Sequence, residues 1–211
     1  MKKVLPAILA VVLVLGAGLA MAGSNGQGVP SAKCAAGWDS VDYDPGVHNV
    51  WKDVPGLNTT VIKTSNKADL IISVTAECAL VTDVKIKGTG KDETSESMAQ
   101  IKIRALVDGD EAEPGDVTFA YRKMILKGLL WAPADVDQEG LLELPEQYIE
   151  IYEETRTSNG FNFVMKNVES GVHEITVQIM TDTKEGFEEA DVGAVIGKRT
   201  LVVEAVRMAN D

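Results

Sequence analysis

The side chains whose types and spacing could do chemistry here are carboxylates and a few aromatic rings. Asp135-Val136-Asp137-Gln138-Glu139-Gly140-Leu141-Leu142-Glu143-Leu144-Pro145-Glu146 sets acids at positions 1, 3, 5 and 12, with glycine at 6. Hard oxygen donors at that spacing, with a glycine to permit a sharp turn, suit a calcium ion. Asp108-Gly109-Asp110-Glu111-Ala112-Glu113 is a second acidic cluster, but it ends in Pro114-Gly115 and matches no ligand spacing, so it reads as a polar turn. The two histidines, His48 and His173, lie in no HExxH helix, beside no serine elbow and near no phosphate-cradling loop. His173 shares parity with Ile175 and reads as a strand-end residue capping the core. Two histidines and two cysteines leave little material for a nitrogen- or sulfur-ligated metal centre. Trp131, between Gly128-Leu129-Leu130 and Ala132-Pro133, sits at a strand-to-loop transition and is the ring expected to face a sugar.

The 135–146 spacing resembles the calcium loop of the EF-hand family. The resemblance implies ligands at Asp135, Asp137, Glu139 and Glu146, with the Leu141 carbonyl at position 7 and calcium as the cofactor. It covers twelve residues and departs from the family in three ways. Glutamate holds position 5, Pro133 interrupts the incoming segment, and Pro145 lies inside the loop next to a strand-like run instead of a second helix. A solvated surface loop is the alternative, because 32 acidic residues in 211 produce such spacings by chance.

The elements that must position these groups follow from composition and periodicity. A formal net charge of −12 repels phosphate backbones and anionic lipid heads, so neither a nucleic-acid partner nor a polybasic membrane patch is expected. Met1-Lys2-Lys3, the apolar run from Val4 to Leu19 and Ala20-Met21-Ala22 form a cleavable signal peptide over 1–22. Cleavage makes Gly23 the first mature residue and the protein secreted or extracytoplasmic, in a periplasm or at a cell surface. No later apolar stretch is long enough to span a bilayer, so no membrane contact is expected after cleavage. Export also permits a disulfide between Cys34 and Cys78, the only two cysteines; the alternative is a buried thiol at Cys78 and a loose one at Cys34.

Residues 23–37 read as a flexible amino-terminal arm, and 38–211 as one domain. Apolar side chains recur at every second position through Leu70–Ala76, Ala99–Val107, Phe161–Met165, His173–Ile179 and Leu201–Ala205. Ile149 and Ile151 alternate with Glu150, while Ser158-Asn159-Gly160 and Glu169-Ser170-Gly171 carry turn chemistry, the latter as a hairpin. No stripe at helical period persists. The expected fold is all-β, an antiparallel β-sandwich of jelly-roll or immunoglobulin-like type. Its expected role is non-enzymatic: binding, or assembly of a surface or matrix by self-association or with another surface protein, the arm adding to a strand edge. The alternatives are a carbohydrate-binding module with a polysaccharide partner, and a secreted glycoside hydrolase using two carboxylates.

Overall fold

A computed structural model describes residues 34–46, 48–87, 92–129, 148–187 and 190–207. The signal segment 1–22, arm residues 23–33, Trp131 and the acidic loop Asp135, Asp137, Glu139, Leu141 and Glu146 lie outside the described residues.

Among the described residues ten strands follow one another: β1 (Cys34–Asp39), β2 (Lys52–Asp53), β3 (Thr60–Thr64), β4 (Ala68–Lys87), β5 (Asp92–Val107), β6 (Asp110–Glu111), β7 (Val117–Leu129), β8 (Tyr148–Val168), β9 (Gly171–Lys184) and β10 (Gly193–Val206). They form two antiparallel sheets, and no helix occurs among the described residues. One sheet has the order β1-β10-β4-β8; in the other β9 pairs with β2, β3 and β5, and β5 pairs with β6 and β7. The first strand begins at Cys34, so four residues assigned by sequence to the arm belong to the sheet.

Alternation explains the layers. Leu70, Ile72 and Val74 of β4, Ile101 and Ile103 of β5, Ile175, Val177 and Ile179 of β9, and Leu201 and Val203 of β10 face one another and are buried. Phe163 and Ile62 are fully buried with them, each such side chain contributing about 1.5–3 kcal/mol by leaving water.

Two turn expectations are corrected. Ser158-Asn159-Gly160 does not turn the chain: it lies inside the 21-residue β8, in unbroken register with Thr75–Glu77 of β4. Glu169-Ser170 does turn it, but as an arch between sheets and not as a hairpin, since β8 belongs to one sheet and β9 to the other. The disulfide expectation is also overturned, because Cys34 and Cys78 form no bridge. Cys34 pairs with Glu204 and Cys78 with Ile196 on the same strand, eight positions apart, or roughly 26 Å along a strand, whereas a bridge needs Cα atoms within ~7 Å.

Polar ties fix the ends of the sandwich. Arg199, 2% exposed, donates from Nη2 to Asp39 Oδ2 (2.8 Å), from Nη1 to the Val41 and Gly197 carbonyls (2.6 and 2.9 Å) and from Nε to the Pro55 carbonyl (2.9 Å). This couples β1, β10 and the 41–55 connection. Gly56, at φ +77°, passes so close that a Cβ would stand 2.6 Å from that of Asp39, so only glycine fits the crossing. Where β10 leaves β4 beyond Val81, the N–H groups of Asp83 and Lys85 that faced it are taken up by the hydroxyls of Ser97 (3.3 Å) and Ser95 (3.1 Å) from β5.

Candidate functional site at the open side of the sandwich

Val164 fixes which way the backbone groups of β8 point. Its N–H and C=O both bond Glu113, at 2.9 Å each, on the side away from β4. The ladder with β4 keeps constant register from Met165 back to Tyr148, so every second residue repeats that orientation. Tyr148, Glu150, Tyr152, Glu154, Arg156, Ser158, Gly160 and Asn162 therefore aim one N–H and one C=O each away from the sheet. No strand pairs with them among the described residues. Among the described residues this leaves an edge of some 15 residues, about 50 Å long, open up to Glu113 at its far end.

The neighbouring edge, β7, lies on the same side of the sandwich, and a cleft of about 330 Å³ separates the two. Leu80 of β4 forms its floor, Phe119 and Tyr121 one wall, and Thr155, Thr157 and Asn159 the other. An ion pair between Arg122 of β7 and Glu153 of β8 spans the opening beside it. Apolar surface gathers along both edges: Tyr121, Ile125, Tyr148, Ile149, Ile151 and Tyr152 are each 41–57% exposed. That concentration on one side separates this region from singly scattered apolar residues.

Between Tyr148 and Asn162, β8 carries Glu150, Glu153 and Glu154 against Arg156. Glu150 holds Lys85 at 3.0 Å, and this bond keeps the ammonium above its ordinary pKa while it stacks 4.1 Å over the Tyr148 ring. Arg156 lies 2.9 Å from Asp42. Desolvation first, then the charges of Asp191, Glu154 and Asp83, hold the Tyr152 phenol above its usual value, so it remains a hydrogen-bond donor at neutral pH.

Two other places were candidates. Thr64, His173 and Asp108 stand in the order of a hydrolase triad: His173 Nδ1 is 2.7 Å from Asp108 Oδ2 and Nε2 is 3.2 Å from Thr64 Oγ1. The Thr64 oxygen, however, already accepts the Gly171 N–H (3.1 Å) and donates to the Glu169 carbonyl (2.7 Å), and the residue is 3% exposed. With no approach for an acyl group, this cluster serves as a clasp on the two arches that carry the chain between sheets. It gives the buried His173 a role beyond capping the core.

The second place is a shallow groove of about 350 Å³ on the outer face of the first sheet. Trp38, 44% exposed, Thr200 and Thr75 form one cross-strand row there, and Glu77, Ser158 and Lys198 flank it. Trp131, the ring expected from sequence to face a sugar, lies outside the described residues; among those described the exposed indole is Trp38. Its signal was the polar hydroxyl-rich parity opposite the core, which needs the register between three strands to be seen.

No protein family matches the chain, and no curated protein is similar to it. Among solved structures, one described as "Structure of infectious bursal disease virus Gx strain" aligns with 85% of this chain and 40% of that chain at 8% identity, with a TM-score of 0.14. The chain thus spans less than half the length of that protein, and a likeness so low carries no argument.

Proposed function

We propose that this is an exported, non-enzymatic β-sandwich that works in surface or matrix assembly by accepting an added strand along β8. The open run from Tyr148 to Asn162 carries the reading: eight outward N–H and C=O pairs beside exposed apolar side chains offer main-chain bonding for affinity and side-chain contacts for selection. The strand order β1-β10-β4-β8 opposite β3-β9-β5-β7, with the chain crossing between sheets at β1–β2, β3–β4, β4–β5, β7–β8, β8–β9 and β9–β10, supports the jelly-roll alternative over the immunoglobulin-like one. Secretion rests on the leader sequence alone, and calcium at Asp135–Glu146 on its loop spacing alone.

Ser158→Pro tests the role of the edge. The N–H it removes points away from β4, a position where an edge strand tolerates proline. Light scattering of the chain from Gly23 onward should show assembly that rises with concentration and disappears in the variant. Monomers of both at every concentration would refute the reading.

A second reading, polysaccharide binding, is favoured by the Trp38 groove, where an exposed indole lies beside hydroxyls and a carboxylate. Soluble hexasaccharides should then quench tryptophan fluorescence in the parent and not in Trp38→Ala; equal quenching removes the site.

A further inference from the structure

We infer that the strand accepted by β8 is residues 23–33 of a second copy of this chain, so that copies join head to tail. The inference rests on the assembly reading above and names its occupant. Three observations support it.

The first is reach. Cys34 is level with Val164, through Glu204 and Ile71, and lies at the opposite border of the sheet. The centre of the open edge, near Glu154, is therefore three strand spacings across and ten residues along, about 14 Å by roughly 33 Å. The direct line of about 36 Å runs through the sheet, and the path around it is longer. With processing after Ala22, eleven residues precede Cys34 and can span at most ~40 Å. A chain's own arm exhausts its length before any residue can lie along Glu154, whereas a neighbour's arm has no such limit.

The second is charge. Residues 23–33, Gly-Ser-Asn-Gly-Gln-Gly-Val-Pro-Ser-Ala-Lys, contain no acid and one lysine, in a chain of net −12. Along the acceptor edge Glu150 and Glu153 are paired with Lys85 and Arg122, and Arg156 with Asp42, which leaves Glu154, with Asp83 and Asp191 beside Tyr152, to set a negative field that disfavours the same edge of another copy and favours a neutral to basic strand.

The third is shape. Arm side chains are small apart from Asn25, Gln27, Val29, Pro30 and Lys33, as suits a strand laid beside a cleft with Phe119 and Tyr121 on its far wall. Pro30 lacks one donor, which an added strand tolerates where that residue faces away from its partner. Each copy gives one arm and offers one edge, a heterologous contact that extends into filaments unless the rotation between copies closes a ring.

The test uses the chain from Gly23 onward, the same chain lacking 23–33, and a synthetic peptide of Gly23–Lys33. The full chain should form filaments visible by electron microscopy and exchange the amides of Tyr148, Glu150, Tyr152, Glu154, Arg156 and Ser158 at least ~10-fold more slowly than the shortened chain. The shortened chain should remain monomeric, and the peptide should restore that protection. Should the shortened chain assemble as well as the full one, the arm is not the occupant, although the assembly role stands. Should the full chain stay monomeric and the peptide protect nothing, both inferences fall.

Discussion

Removing the Arg199 guanidinium gives the most direct check on how the sandwich is held together. Arg199→Met keeps a long apolar stem of similar volume but leaves Asp39, 5% exposed, without its partner, and leaves the Pro55, Val41 and Gly197 carbonyls without their donor. Burial lowers the pKa of the guanidinium, partly countered by Asp39, yet arginine stays charged at any pH where the fold is studied. Breaking a buried pair from one side costs about 3–5 kcal/mol, mostly the penalty of the stranded charge. For a chain of this length each kcal/mol lowers Tm by roughly 2–4 °C, so a fall of about 6–20 °C is expected. Asp39→Asn should cost less, because its amide oxygen still accepts the Ser40 and Val41 N–H groups and Arg199 keeps its three carbonyls. The double variant should be more stable than the two losses added together, by about 1–3 kcal/mol. Urea unfolding followed by circular dichroism measures all four corners of the cycle. A loss under ~1 kcal/mol for Arg199→Met, or strict additivity, would refute a desolvated ion pair at this site.

The remaining predictions concern single residues. Asp83 is 4% exposed and its Oδ1 has no hydrogen-bond partner among the described residues; burial raises its pKa, with the Asp191 N–H pulling the other way. A raised folded-state pKa gives stability that is present in acid and lost as pH rises through it, so Asp83→Asn should stabilise the fold at pH 7 by about 1 kcal/mol. The gap should close towards pH 3, and a gap that widens in acid would reverse the assignment. Burial also pushes the Cys78 thiol up to about 11, against the bond from Asn159, while Cys34 is exposed. Iodoacetamide at pH 8 should therefore modify Cys34 alone in the native protein and both cysteines in urea, as read by peptide mass; native labelling of Cys78 would contradict its burial. Gly56→Ala should destabilise by about 3 kcal/mol, since its Cβ would stand 2.9 Å from the Trp38 carbonyl oxygen at a left-handed φ. Gly160→Thr, whose Cβ would meet nothing nearer than 3.6 Å, should gain about 0.5–1 kcal/mol in thermal melts.

What could be read without coordinates was whatever repeats locally. Greasy and polar groups two apart sort themselves onto opposite faces wherever the chain is extended, so Leu70–Ala76, Ala99–Val107 and His173–Ile179 announced buried strands, and from them an all-β protein with two layers. Local order also misled. Ser158-Asn159-Gly160 has the composition of a turn, yet the ladder with Thr75, Ala76 and Glu77 satisfies its backbone and holds it straight. Pairings between distant residues left no local trace: Arg199 and Asp39 are 160 positions apart, Thr64 and His173 109, and neither shows in a window of neighbouring residues. The same holds for the two cysteines, which the shared strand β10 keeps far apart, and for the open edge itself. An edge strand differs from a central one only in having a neighbour on one side, and which strand lacks that neighbour is settled when the sheets close around their common core.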